Sequence, residues 1–186
     1  MSSHLDYEIN KELGECYLFM GELDKAESYY IKAVASSEQE ADPYMGLATI
    51  AMQRGDMDSA LTHYSRAVSL QESDKAIAGL GLAHMNQGNH IEAFNLFSRA
   101  LSINPANAVA LGCLVRESYE QSRVAEVVPY LEACLEVTDD ENIKVTLAGC
   151  LVSLEKTDDA RLLLSEVLVA NPQNQNARDL FNHVTA

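Results

Sequence analysis

The segment Gly21-Glu-Leu-Asp-Lys-Ala26 recurs as Gly55-Asp-Met-Asp-Ser-Ala60 and as Gly88-Asn-His-Ile-Glu-Ala93. It returns in weaker form from Ser122 to Val127 and from Glu155 to Ala160, so successive copies lie 34, 33, 34 and 33 residues apart. Other columns keep the same step. Downstream run Tyr30, Tyr64, Phe97, Leu131 and Leu164, then Ala33, Ala67, Ala100, Cys134 and Val167; upstream run Leu13, Leu47, Leu80, Leu114 and Leu147. Several columns in register over five copies make a tandem array.

Within each copy, apolar residues recur three and four positions apart, the helical period. One helix of the second copy is predicted over about Pro43 to Gln53, with Tyr44, Leu47, Ala48 and Ala51 on one face. Its partner is predicted over about Met57 to Leu70, with Ala60, Leu61, Tyr64, Ala67 and Val68 aligned. Gly55 lies between them, where a helix C-terminus often needs a left-handed residue. Pro43 suits a first helical turn. Asn104-Pro105 and Asn171-Pro172 end the second helices of the third and fifth copies, because proline disfavours helix in the residue before it. Pro129 lies inside a predicted helix, so a kink or a late start is expected there. The fourth copy has Ser122 where the turn glycine stands elsewhere, which leaves its turn geometry open.

Composition narrows the function. The chain has 186 residues with 13 Lys+Arg against 28 Asp+Glu, a net charge of −15, and 47% of its residues are hydrophobic. That field repels nucleic acid and anionic membrane surfaces. No run approaches the roughly 18–20 apolar residues of a membrane span, and no secretory signal precedes Lys11, so a cytoplasmic protein without membrane insertion is expected. Cys16, Cys113, Cys134 and Cys150 have neither metal-ligand nor disulfide-framework spacing and read as buried thiols.

Period and columns together resemble the tetratricopeptide repeat family. Leu13-Gly14, Leu47-Ala48, Leu80-Gly81 and Leu147-Ala148 match its first-helix pair, and Tyr17, the turn glycines and the small, aromatic and small positions of the second helix follow. The resemblance implies an all-α solenoid, a right-handed superhelix of helix-turn-helix pairs. It divides the chain at about 7–40, 41–73, 74–107, 108–140 and 141–173, with residues 174–186 as a C-terminal capping helix that carries Ala177, Leu180, Phe181 and Val184. Small residues such as Ala26, Ala60, Ala93 and Ala160 would let the helices approach, and the aromatics would fill the space between pairs.

No reactive constellation stands out. Gly79-Leu-Gly81 lacks the third glycine and the preceding strand of a dinucleotide site. The five histidines are dispersed, no calcium loop is present, and the acidic clusters (Glu38 to Glu40, Asp139 to Glu141, Asp158-Asp159) sit where they serve helix starts. No enzyme activity, cofactor or metal is expected.

The family resemblance also places a binding surface on the first helices. One column reads Lys11, Met45, Ala78, Gly112 and Val145; the next reads Glu12, Gly46, Gly79, Cys113 and Thr146. Beyond them come Glu15, Thr49, Leu82, Arg116 and Gly149, then Leu18, Met52, Met85, Tyr119 and Val152. These columns are small and apolar in their middle, with Met45, Met52, Leu82, Met85 and Tyr119 as adaptable walls and Lys11, Thr49, Lys75, Val109, Arg116 and Val145 completing the candidate set. Such a groove suits an apolar helical or extended peptide segment. Lys11 and Lys75 match two positions of the family's carboxylate clamp, but Glu15, Gly46 and Gly79 replace its other members, and no asparagine ladder is present. The expected role is a non-catalytic adaptor or chaperone-like scaffold binding another protein. A substrate-recruiting region of a larger enzyme and a homo-oligomer joined through Leu180-Phe181 stand as alternatives.

Overall fold

A computed structural model describes residues 2–185 of the chain, and every element among them is a helix. The helices fall into two compact units, one ending at Ile103 and one beginning at Asn104. The first holds α1 (Ser2–Phe19), α2 (Leu23–Ser36), α3 (Asp42–Gln53), α4 (Met57–Leu70), α5 (Asp74–Asn86) and α6 (His90–Ile103). The second holds α7 (Ala108–Glu120), α8 (Val124–Val137), α9 (Glu141–Ser153), α10 (Thr157–Ala170) and α11 (Gln175–Thr185).

The turn inside each pair has one geometry. Gly55 has φ +79°, and the N–H of Asp56 donates to the Ala51 carbonyl at 2.9 Å, the long-range bond that closes a Schellman-type helix end. Ser122 (φ +57°) and Glu155 (φ +60°) adopt the same left-handed backbone although neither is glycine. The same bond closes both turns, Arg123 to Ser118 at 2.7 Å and Lys156 to Leu151 at 2.9 Å. The fourth turn, open on sequence grounds, is therefore built like the others at the cost of a strained φ. The helix after it begins at Val124 and runs unbroken past Pro129 to Val137, so the late start expected there is absent. Proline this near the N-terminus removes one backbone bond, to the Ala125 carbonyl, and the packing of Val127 and Leu131 holds the rest.

Side-chain caps start several helices. Asp56, Ser73, Asn107 and Asp140 each accept a backbone N–H two or three residues on, at 3.1, 3.2, 2.9 and 2.7 Å. Asn174 does the same for α11 through Ala177 N at 3.0 Å.

Burial follows the columns. Ala26, Ala60, Ala93 and Ala160 are fully buried, as are Phe97, Leu131 and Leu164, with Tyr30 and Tyr64 nearly so. The rings of the second helices press on glycines of the first. A methyl group built on Gly14 would stand 2.7 Å from the Tyr30 ring, and one on Gly81 2.8 Å from Phe97; on Gly46 and Gly79 the approach to Tyr30 and Tyr64 is closer still. Tyr30 of α2 is thus clasped between Gly14 of α1 and Gly46 of α3. Van der Waals contact at this range leaves no space for a side chain.

The cysteines divide. Cys134 and Cys150 are buried as expected, but Cys16 on α1 is exposed and Cys113 on α7 only half-buried. In the last helix, Ala177 and Val184 are buried, while Phe181 lies beside Asp158, Arg161, Leu162 and Ser165 of α10.

Candidate functional site

In the first unit the first-helix face opens into a pocket of about 420 Å³. Helix α1 supplies Glu15 and Leu18, α3 supplies Asp42, Met45, Gly46 and Thr49, and the start of α5 supplies Ser73 and Lys75, with Gln71 before it. Ala41 completes the wall, and Tyr30 reaches the pocket from α2 behind it. The tyrosine can do so only because Gly46 has no side chain in its path.

Three of the residues expected from sequence, Met45, Thr49 and Lys75, therefore meet in one place. The others do not join them there. Lys11 lies one turn away on α1, with its Nζ 2.9 Å from Glu8 and its pKa raised by that hydrogen bond. Met52 packs with Met45 on the core cluster of Ala48, Ala51, Ala60, Tyr64 and Ala83. Leu82 and Met85 are half-buried on α5. In the second unit Val109, Arg116 and Tyr119 are exposed and Val145 is half-buried.

The pocket wall is mixed where the columns read as apolar. Its carboxylates and lysine come in part from the starts of α3 and α5, Asp42 and Lys75, which occupy the same register one repeat apart. Reading only outward first-helix columns misses Asp42, Gln71, Ser73 and Tyr30. The register that Asp42 shares with Lys75, a residue already in the candidate set, is the signal that could have found Asp42.

Burial sets the chemistry of the hydroxyls and thiols near these helices. The Tyr30 hydroxyl is pushed up to about 12 by burial and then by the charges of Glu15 and Asp42. Burial likewise raises Tyr64, although its hydrogen bond with Thr49 at 3.0 Å opposes the shift. Burial also raises the Cys113 and Cys150 thiols and holds both protonated at neutral pH, the opposite of an activated nucleophile.

The second unit has a different opening. Leu131 occupies the column held by Tyr30, Tyr64 and Phe97, and beside it lies an apolar pocket of about 240 Å³ lined by Leu111, Gly112, Val115, Ile143 and Thr146. A branched aliphatic side chain reaches less far than a ring, so the space is left open. Tyr119 stands apart from this pocket. Its hydroxyl donates to Cys150 Sγ at 3.7 Å and accepts from Ser153 Oγ at 3.3 Å.

Sequence models of the tetratricopeptide repeat match residues 11–77 and 75–107, together more than half of the chain. The chain belongs to the tetratricopeptide repeat family. Over 107 residues this tetratricopeptide repeat chain is 30% identical to the BBSome complex member BBS4 of Bos taurus, covering 57% of the chain and 20% of that protein. Over 181 residues it is 26% identical to DnaJ homolog subfamily C member 7 of Homo sapiens, covering 90% of the chain and 37% of that protein. The chain thus spans well under half of these relatives. Among solved structures, PilF of Pseudomonas aeruginosa superposes with a TM-score of 0.75 at 17% identity, covering 99% of this chain and 90% of that one. YrrB, described as a tetratricopeptide repeat protein with an unusual peptide-binding site, gives 0.67 at 16% identity over 91% and 89% of the two chains. The second such domain of human RPAP3, solved with the HSP70 peptide SGPTIEEVD, gives 0.58 at 23% identity over 62% of this chain and 98% of that domain. At these identities the likeness establishes the fold. Among the described residues no helix is long and apolar enough to cross a membrane.

Proposed function

We propose that this chain is a non-catalytic adaptor that binds a segment of another protein on its first-helix face, organised as five repeats with a closing helix at the boundaries set out above. One observation carries the reading. A pocket large enough for side chains opens between α1, α3 and the start of α5, and its wall offers flexible apolar groups (Leu18, Met45) next to hydrogen-bonding ones (Thr49, Ser73). That combination suits a peptide, whose side chains need apolar seats and whose backbone needs polar partners. The peptide-binding neighbours YrrB and RPAP3 support the same role at the level of fold. The protonated thiols and the dispersed histidines favour binding over chemistry.

A photo-crosslinking residue placed at Lys75, on the pocket, and at Thr62, exposed on α4, tests the reading in native extract. Adducts expected from position 75 and not from position 62 support it. Adducts formed from position 62 alone overturn it.

A further inference from the structure

The pocket of the first unit carries an imbalance of charge around a buried polar group. Glu15 and Asp42 both line it, against the single cation Lys75. Lys11, the next cation along α1, is bound to Glu8. In the same lining, the ring end of Tyr30 lies against Gly46, which itself forms part of the wall. Tyr30 is only 2% exposed as a residue, yet it lines the pocket, and no hydrogen bond within the chain engages its hydroxyl among the described residues. A hydroxyl held in place by a packed ring and left open to the pocket suits a bound group that hydrogen-bonds to it.

We propose that this pocket receives a lysine or arginine side chain of the bound partner. The cationic head sits between Glu15 and Asp42, with the Tyr30 hydroxyl oxygen as a further acceptor, and the aliphatic stem lies on Leu18 and Met45. An ammonium or guanidinium brings donors only, which matches two carboxylates and a phenol oxygen. The long apolar stem of these residues matches the apolar part of the wall. The net charge of −15 steers such a partner toward the protein, while the pocket decides where its cation docks. This assignment rests on the first-helix face being the binding surface.

The test uses the full chain and three short acetylated, amidated peptides that differ only at a central lysine, norleucine or glutamate. Binding is followed by amide shifts of Gly46 and Thr49 and by the ring signals of Tyr30. The lysine peptide is expected to bind at least fivefold more tightly than the norleucine peptide, and the glutamate peptide least. Glu15→Gln, Asp42→Asn and Tyr30→Phe should each reduce that preference at least threefold, while Asp58→Asn, exposed on the second helix α4 and outside the pocket, should leave it. Loss of the preference in Asp58→Asn as large as in Glu15→Gln would reveal a general field effect and overturn the assignment. Equal shifts by the lysine and norleucine peptides overturn the cation pocket but leave the groove standing. Shifts confined to α2 and α4 overturn both.

Discussion

The ring of Tyr30 on α2 lies directly against the backbone of Gly46 on α3, where an added Cβ would overlap it. Gly79 has the same relation to Tyr64, one repeat on. Gly46→Ala or Gly79→Ala must therefore displace a buried ring and is expected to destabilise the chain by about 1–3 kcal/mol. Gly112 on α7 has open space where its Cβ would be, so Gly112→Ala should stabilise by about 0.5–1 kcal/mol through helix propensity alone. Urea unfolding of the three variants checks the opposite signs.

The left-handed turns at Ser122 and Glu155 store strain that glycine would relieve. Ser122→Gly and Glu155→Gly should each raise stability by about 1 kcal/mol, and Gly55→Ala should lower it by a similar amount. Thermal unfolding separates these outcomes, and a fall in stability on introducing glycine at position 122 would count against the shared turn geometry.

Thr49 and Tyr64 join α3 to α4 through their hydroxyls at 3.0 Å, and Thr49 also donates to the Met45 carbonyl at 2.9 Å. Thr49→Val keeps the shape and leaves the Tyr64 hydroxyl without this partner, at an expected cost of about 1 kcal/mol. A double-mutant cycle with Tyr64→Phe should recover most of that loss.

Alkaline pH should act through Tyr30. Its folded pKa is pushed up to about 12 by burial, above the value near 10 expected in the unfolded chain. Its stabilising contribution is therefore complete below about pH 10 and is lost as pH rises through about 12. Helical circular dichroism recorded beside tyrosinate absorbance should fall within that window, and Tyr30→Phe should flatten the fall.

Met85 is half-buried on α5 and lies away from the pocket of the first unit. If the partner extends along α5, Met85→Glu should weaken capture by the position-75 crosslinker at least tenfold while circular dichroism stays unchanged. Met52→Glu is a poorer probe, since Met52 packs on the core and its replacement should also lower the melting temperature.

Much of this protein was legible without coordinates because it is local. Gly55 marks a turn through its own backbone freedom, Pro43 suits a first helical turn through its missing N–H, Pro105 ends a helix through the restriction it puts on the residue before it, and the alanine and aromatic columns keep the period of the array. Ser122 and Glu155 showed their turns only through the register of the repeat, since neither residue prefers the left-handed backbone it adopts. The candidate site was legible only in part. Met45 and Thr49 stood in the first-helix columns and Lys75 matched the family's clamp pattern, but Asp42, Ser73 and Tyr30 belong to helix starts and to a second helix that the columns set aside.

By itself the sequence determined the helices, their turns and their spacing, since those depend on groups a few residues apart and on a repeating period. Which atoms converge was decided only in the tertiary structure. Two carboxylates, a lysine and a buried phenol share one pocket because Gly46 lets Tyr30 pass between α1 and α3. No run of neighbouring residues encodes that meeting, because it depends on how three helices pack.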